Sequence, residues 1–487
     1  MGSAMTVQTL GGLWLDRTSG TTLQDQLAHH LKELIQSGVL APGDELPSTR
    51  EMATRLGISR NTAVNAYERL LGEGYLESAS RSGVFVSSSI SLSRHSTWPM
   101  RARPTGSRPS APPVAVPLGS PAPFRPSQPD VSLFPLRVWN RLRARALRQE
   151  GASLLHYQAP CVAGLPALRQ NVAAYLRDHR GVRCDWRQVV ITAGSQQALY
   201  ILAAQLLAAR DPVYVEDPGY VEARMAFRRA GGRIVPGAVD DQGLTLPTRA
   251  SGSIQVIYTT PSRQFPTGVS LSLPRRLALI DFAGRTKAWV IEDDYDSELR
   301  YGAAPLPSLQ SLDRSGRVIY VGTFSKLLFP SLRLGYVVVP EPLVEGFVEL
   351  KHLLDDHLPL VDQATLALFL ESGAFYTHIR RCRRAYAERQ QLFLALCAKA
   401  GLPLEFPYTD GGMNLAGLLP EGERDAAIAA RLREAGLDVP PLSQYAIQAG
   451  CPGLVFGFTA FAPATIRKSF DSLTRLLGEP PRRAAGR

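Results

Sequence analysis

The sequence predicts two folded blocks of different class, a small α+β unit before about residue 90 and a large α/β unit after about residue 130. Three observations carry this reading. Residues 99–135 hold eleven prolines with glycine and serine between them, and such a stretch sustains neither a helix nor a central strand. Ahead of it, apolar residues recur at helical spacing. Beyond it, continuous apolar runs alternate with helical stretches, as in a mainly parallel sheet buried on both faces.

Composition narrows the function classes. At 487 residues and 45% hydrophobic, the chain supports more than one domain and a large core. No apolar run reaches the roughly 18 residues that span a bilayer. The longest candidate, residues 199–209, is short and contains Gln205. No basic stretch followed by an apolar one opens the chain, so no secretion signal is expected. The five cysteines (Cys161, Cys184, Cys382, Cys397 and Cys451) are scattered and lack C-x-x-C spacing. Neither a disulfide framework nor a metal site is expected, and the reading is a reduced, cytoplasmic protein.

The net charge of +11 suggests a polyanionic partner. Its distribution warns against using it to find the site. Residues 1–90 hold seven Lys/Arg against nine Asp/Glu. The basic excess lies at Arg94, Arg101, Arg103 and Arg108, at Arg137, Arg141, Arg143, Arg145 and Arg148, and at Arg380, Arg381, Arg383 and Arg384. Bulk charge therefore does not locate a nucleic-acid surface. Solvated helix faces and packing between subunits explain such runs as well.

The small block reads as three helices and a hairpin. Leu23, Leu27, Leu31, Leu34 and Ile35 make the first apolar stripe. Pro42-Gly43-Asp44 is a turn, after which Ser48 and Glu51 fit a capping box, with Glu51 reaching back. The second helix buries Met52, Ala53 and Leu56 and stops at Gly57. Ser59 can cap a third, with Val64, Tyr67, Leu70 and Leu71 as its apolar stripe and Arg60, Asn61, Thr62 and Asn65 opposite. Two β-like runs, residues 75–77 and 84–86, follow with a wing-like connection between them. Two short helices about a tight turn make a helix-turn-helix, whose second helix meets base edges with its first residues. Arg60 could pair with guanine and Asn61 with adenine. A helical hairpin used only for packing has the same pattern, and the wing with Arg81 favours the DNA-binding reading.

Residues 43–51 (GDELPSTRE), 56–62 (LGISRNT) and 73–76 (EGYL) resemble the GntR-family winged helix over about residues 20–88. The resemblance implies DNA contacts from Arg50, from Ser59, Arg60, Asn61 and Thr62, and from the wing at Arg81, Ser82 and Gly83. That family's wing usually reads G-S-G-x-F-V. Here Arg81 replaces the first glycine, which stiffens the tip. Residues 89–129 are read as the proline-rich linker.

In the large block, strand candidates are residues 189–192, 213–216, 254–258, 289–292, 318–322 and 336–339. Ligands of such sheets sit at the carboxyl ends of strands. After the first comes Gly194-Ser195-Gln196-Gln197, opening a helix over residues 198–207, and a helix N-terminus suits a phosphate. After another comes Glu292-Asp293-Asp294-Tyr295-Asp296, whose carboxylate could pair with a protonated pyridine nitrogen. Then come Gly322-Thr323-Phe324-Ser325-Lys326 and Arg333, with a lysine at a ligand end. Each motif alone has an ordinary explanation: a common βα turn, an acidic surface loop, a solvated lysine. Their succession at strand ends describes a phosphate grip, a ring partner and a Schiff-base lysine.

This order of motifs resembles the fold-type I pyridoxal 5'-phosphate enzymes of aminotransferase fold over residues 130–475. It implies that Lys326 forms the internal aldimine, that Asp293 pairs with the ring nitrogen and that Tyr295 meets the ring oxygen. It also implies that Tyr220 stacks on the ring, and that Gly194, Ser195, Gln196, Thr323, Ser325 and Arg333 hold the phosphate. Dimers of this fold share active sites, and Tyr157 would reach the partner's phosphate. The whole chain resembles the MocR/GabR subfamily of GntR regulators, which implies a head-to-tail homodimer on double-stranded operator DNA. The effector would be pyridoxal phosphate itself, another B6 vitamer, or an amine or amino acid forming an aldimine.

Three positions depart from the enzyme pattern. The strand that usually carries the carboxylate-clamping arginine reads Leu454-Val455-Phe456-Gly457-Phe458, with Val455 at the arginine position. Arg263 and Asn414 stand where histidines are common, at positions expected to line or flank the pocket. Arg263 could supply a carboxylate partner from another side, or pair with an acid. Val455 speaks against an alternative reading, a working aminotransferase with an accessory winged helix, so transaminase activity is expected to be weak or absent. The intact set of Lys326, Asp293 and Arg333 speaks against a mere dimer scaffold.

Overall fold

The computed structural model describes residues 14–79, 83–89, 122–157, 159–248, 253–302, 306–448 and 450–478. The chain divides into two compact units, Met1–Val116 and Pro117–Arg487. Among the described residues, no helix is long and apolar enough to cross a membrane.

The small unit holds α1 (Leu23–Gln36), β1 (Glu45–Leu46), α2 (Thr49–Leu56), α3 (Arg60–Gly72), β2 (Leu76–Ala79) and β3 (Gly83–Val86). Thr22, Ser48 and Ser59 each cap a helix by accepting a backbone N–H three residues on. The capping box expected at Ser48 is only half made. Ser48 Oγ accepts from Glu51 N at 3.2 Å, but Glu51 Oε1 takes Arg55 at 2.5 Å. A charged donor one turn ahead outcompetes a backbone N–H for the carboxylate. Gly57, at φ +63°, turns α2 into α3. The buried face of α3 is Ala63, Ala66, Tyr67 and Leu70, while Val64 and Leu71 are half-buried. The small alanines are core residues because they leave room for neighbouring side chains. The three-stranded sheet has the order β1-β3-β2. Its strand β1 is too short for periodicity to signal.

The large unit is built on an eight-stranded sheet of order β4-β11-β10-β9-β8-β5-β6-β7. Its strands are β4 (Val189–Thr192), β5 (Pro212–Asp217), β6 (Arg233–Asp240), β7 (Gly243–Leu244), β8 (Val256–Thr259), β9 (Trp289–Asp294), β10 (Val318–Thr323) and β11 (Gly335–Val338). Neighbours from β10 through β6 pair in parallel, whereas β11 runs antiparallel to both β10 and β4. The six apolar runs all form strands, with ends shifted by at most two residues. Strands β6 and β7 lack such a signal, since β6 is mostly half-exposed and contains Pro236. The helix after β4, α4 (Ser195–Leu206), starts three residues earlier than expected, with Gly194 as its cap.

Apolar clusters cover both sheet faces, one of them formed by α4 and α5 (Val221–Arg229) with the inner strands. Beyond the sheet, α6 (Glu341–Asp355) leads toward the long α7 (Ala374–Ala400). A two-stranded antiparallel sheet follows, β12 (Asn414–Leu418) with β13 (Gly453–Gly457), with α8 (Asp425–Glu434) between them in sequence. Residues 122–129, which composition groups with the linker, pack on this unit, and Phe124 is buried against Phe393 and Phe456.

Candidate functional site

The parallel pairing of β9 and β10 sets Asp293 beside Val321, so the acidic motif and the lysine motif leave the sheet at the same edge. Asp293 is buried, and its Oδ2 accepts from the Tyr258 hydroxyl at 2.8 Å. Its Oδ1 has no hydrogen-bond partner among the described residues. Burial, with the Asp294 and Glu216 carboxylates nearby, pushes Asp293 up to about 7, against the Tyr258 bond and the Lys326 charge. Lys326 Nζ donates to the Ser127 carbonyl at 3.0 Å. Burial lowers the lysine pKa, which favours the nucleophilic neutral amine, and the Glu222 carboxylate opposes this.

Across the cavity, Gly194 stands at φ 78°, ψ 176°, a conformation essentially reserved for glycine. A Cβ there would lie 3.2 Å from an Arg333 guanidinium nitrogen, so glycine also lets the arginine close over the turn. Arg333 Nη2 donates to the Ala193 carbonyl at 2.8 Å. The first N–H groups of α4 and the Arg333 charge thus flank one spot. Behind the turn, Gln197 accepts from Ala193 N at 2.7 Å and donates to Asp355 at 2.8 Å. Asp355 also pairs with the fully buried Lys351 at 2.6 Å. This chain of bonds fixes the turn to α6. The Gln196 Nε2 donates elsewhere, to the Glu222 carbonyl at 2.9 Å, while its buried Oε1 has no partner among the described residues.

These groups border one cavity of about 510 Å³. Gly194, Ser195, Gln196, Tyr220, Asp293, Tyr295, Thr323, Ser325, Lys326 and Arg333 all line it. Thr323 Oγ1 accepts from Ser325 N at 3.2 Å, while the buried Ser325 Oγ has no partner among the described residues. Phe265 stands between Tyr220 and Tyr295, with ring centroids 5.8 and 6.1 Å away. Three orphaned oxygens, on Asp293, Ser325 and Gln196, belong to residues that line the same space as the half-buried Lys326 amine and a helix N-terminus. That donor set fits a phosphorylated pyridine bearing an aldehyde: carboxylate for the ring nitrogen, N–H groups and hydroxyls for the phosphate, amine for the carbonyl.

Sequence reasoning missed several lining groups. Tyr258 closes an expected strand, so its position at a carboxyl end was a usable signal. Arg125, Ser127 and Gln128, and also Glu222, Arg433 and Asp438, carried none, because linker and helix surfaces look alike in sequence.

The three departures also find their places. Val455 is fully buried with Leu442 and Tyr445, against Val221 and Phe265, so an apolar cluster fills the position of the clamp. Neither Arg263 nor Asn414 lines the cavity. Arg263 is a buried tie rather than a carboxylate partner from another side. It donates to the Asn414 carbonyl at 2.7 Å, pairs with Asp410 at 3.3 Å and lies 3.9 Å from Asp296. Its charge opposes the burial that pushes Asp296 up to about 7.

In the small unit, Arg50, Ser59, Arg60 and Asn61 are exposed around the start of α2 and α3. Arg50 and Arg60 form no ion pair among the described residues. Thr62 is half-buried, with its hydroxyl 2.8 Å from that of Ser59. Asn65 is tied to Gln24 of α1 at 3.0 Å. Gly83 opens β3, exposed and at φ +113°. Arg81 and Ser82 lie outside the described residues, as do Arg94, Arg101, Arg103 and Arg108.

Residues 23–86 match the family of bacterial regulatory proteins named gntR, and residues 135–455 match the aminotransferase class I and II family. The chain is 38% identical to a probable rhizopine catabolism regulatory protein, MocR, of Rhizobium meliloti, over 95% of each chain. It is 33% identical to the pyridoxine biosynthesis transcriptional regulator PdxR of Corynebacterium glutamicum, over 92% of this chain and 94% of that one. Among solved structures it is similar to the α-aminoadipate aminotransferase LysN of Thermus thermophilus, complexed with N-(5'-phosphopyridoxyl)-L-leucine. That match has a TM-score of 0.67 and 30% identity, and covers 73% of this chain and 92% of that one.

Asp293 is raised in the fold, so its contribution to stability is full below about pH 4 and is lost as the pH rises through about 7. Asp293→Asn is therefore expected to stabilise the cofactor-free protein at about pH 8 by up to about 4 kcal/mol. The gain should vanish below about pH 4 in denaturant titrations, and a gain independent of pH would overturn the assignment.

Proposed function

Because the chain belongs to the MocR-type GntR regulators, in which a winged helix precedes an aminotransferase class I and II domain, we propose that its operator binding responds to what occupies Lys326. The protein is a transcriptional regulator that binds operator DNA, and the cofactor of its large unit is pyridoxal 5'-phosphate. The effector in this reading is the cofactor itself, another B6 vitamer, or an amine or amino acid that competes with the lysine. One observation carries it: a half-buried lysine amine and an unpartnered aspartate oxygen face one cavity, whose wall at Val221, Phe265 and Tyr445 packs on Val455 at the expected clamp position.

When bound, the cofactor supplies a carbonyl that primary amines attack and a pyridine ring that withdraws electrons. Lys326 is the residue that would hold it covalently, its pKa lowered by burial. Asp293 would take the ring N–H on its free oxygen, at the cost of the proton that burial lets it keep near neutral pH. Tyr295 would donate to the ring oxygen and Tyr220 would stack. The turn at Gly194, Ser195 and Gln196, with Thr323, Ser325 and Arg333, would hold the phosphate. An incoming primary amine would compete with Nζ for the carbonyl. Such a ligand moves operator binding only through its different affinity for two conformers of the protein.

We assign the DNA contacts to Arg50, to Ser59, Arg60, Asn61 and Thr62 at the start of α3, and to the wing at Arg81, Ser82 and Gly83. This takes about residues 20–88 as the DNA-binding unit, 89–129 as the linker and 130–475 as the effector and dimer unit. A head-to-tail homodimer belongs to the same reading. The exposed apolar side chains Leu136, Leu155, Tyr157, Leu353 and Leu354 support a subunit contact on the large unit. With DNA as its partner, the protein would act in the cytoplasm.

Holo-protein should show a visible absorption band, and Lys326→Ala should lose it; a band that survives the substitution rules out this lysine. Arg60→Ala should weaken specific operator binding by about 1–3 kcal/mol in a mobility-shift titration while leaving the band intact. Unchanged operator affinity would misplace the recognition helix. Steady-state amino-group transfer from common α-amino acids should be slow or absent, and rapid turnover would favour an enzyme.

A further inference from the structure

Resting on the reading of Lys326 above, we infer that residues 123–128 form a latch that reports whether the Lys326 amine is free, with Asn414 as its positioning residue. This stretch lies in the C-terminal part of the proline-rich run that joins the two units in sequence. It lies on the large unit, and a single hydrogen bond, from Lys326 Nζ to the Ser127 carbonyl at 3.0 Å, ties it to the lysine. Asn414 holds that carbonyl in place from both ends of its amide. Its Oδ1 accepts from Ser127 N at 2.6 Å and its Nδ2 donates to Ser127 Oγ at 3.1 Å. A neutral side chain that both donates and accepts at its tip is what this pair of contacts requires.

The flanks of the stretch are seated on β13 and its neighbours. Gly457 N donates to the Phe124 carbonyl at 2.7 Å, and Asp438 N to the Pro123 carbonyl at 2.9 Å. Gly457 is where the approach is closest, since a Cβ there would stand 2.0 Å from the Arg125 carbonyl oxygen. Arg125 adds an ion pair to Asp438 at 3.6 Å. The stretch is thus a docked strap with one bond to the functional lysine.

That bond depends on the chemical state of Nζ. A free amine has protons to donate. Condensation with an aldehyde forms one C=N bond, and the carbonyl oxygen leaves as water with both amine protons. The neutral product has none left for Ser127, and a part-buried carbonyl without a donor is costly. A primary amine that takes over the aldehyde returns Nζ to the free state and restores the bond. Aldehyde and amine effectors therefore act on the strap with opposite sign. Because the chain runs from the strap into the linker, its release changes the tether of the DNA-binding unit.

Hydrogen exchange on the full-length protein tests this. In the cofactor-free protein the amides of Ser127, Asp438 and Gly457 should exchange slowly. Pyridoxal phosphate should speed them about tenfold or more. Lys326→Ala should exchange fast with or without it. Absorbance of the same samples reports occupancy of the lysine. A visible band with unchanged strap exchange overturns the latch and leaves the proposed function standing, whereas a missing band overturns both. A strap that responds to pyridoxal phosphate in Lys326→Ala also overturns it, since contact rather than the amine would then be sensed. Asn414→Ala removes the positioning bonds, and Gly457→Ala, at the position paired with Asn414 across β12 and β13, wedges the strap off β13 while keeping the Asn414 and Lys326 side chains. Both should keep the band and lose the cofactor-dependent change in operator affinity. A wild-type response in both variants refutes the proposal.

Discussion

The parallel register of β9 against β10 is the constraint on which the large unit's site depends. It brings Asp293 level with Val321, and so places the carboxylate and the Lys326 loop at the same strand ends. Burial then acts on both groups in the direction of neutrality. It raises Asp293 to about 7 and lowers Lys326, in both cases disfavouring the charged form. An unpartnered aspartate oxygen and an unpartnered serine hydroxyl in residues lining one cavity stand out, since buried polar atoms are mostly hydrogen-bonded. Their retention makes sense if a ligand pays for them.

The surroundings divide into groups that face the cavity and groups that hold those in place. Lys351, Asp355 and Gln197 do the second for the glycine turn, carrying it on α6. Arg263 does the same for the loops around Asp296 and Asn414. This explains the glycine at 412, where a Cβ would stand 2.0 Å from the Arg263 Nε. It also explains why an arginine that looks in sequence like a substrate contact is internal. Val455, where the enzyme pattern leads one to expect an arginine, is buried in an apolar cluster.

Much of this was legible because the signals are local. Strand runs, the turn at Gly194, the acidic motif and the lysine motif are contiguous in sequence, and strand ends in a parallel sheet gather whatever follows them. What was not legible depends on residues far apart. Tyr258 reaches Asp293 across 35 positions, and Asn414 reaches Ser127 across 287. The strand β6 was missed because its half-exposed edge carries no continuous apolar run. The capping role of Glu51 was misread because Arg55, four residues ahead, competes for it.

By itself the sequence determined the two-unit plan, the helix-turn-helix with its exposed Arg60 and Asn61, and the succession of phosphate, ring and lysine motifs, since each is written in local spacing. Only the tertiary structure decided which residues meet. It turned Arg263 inward, filled the clamp position with an apolar cluster, and laid a stretch of apparent linker across Lys326. Composition cannot foresee that last placement, because proline-rich chain reads as a spacer until a folded surface offers the donors that seat it.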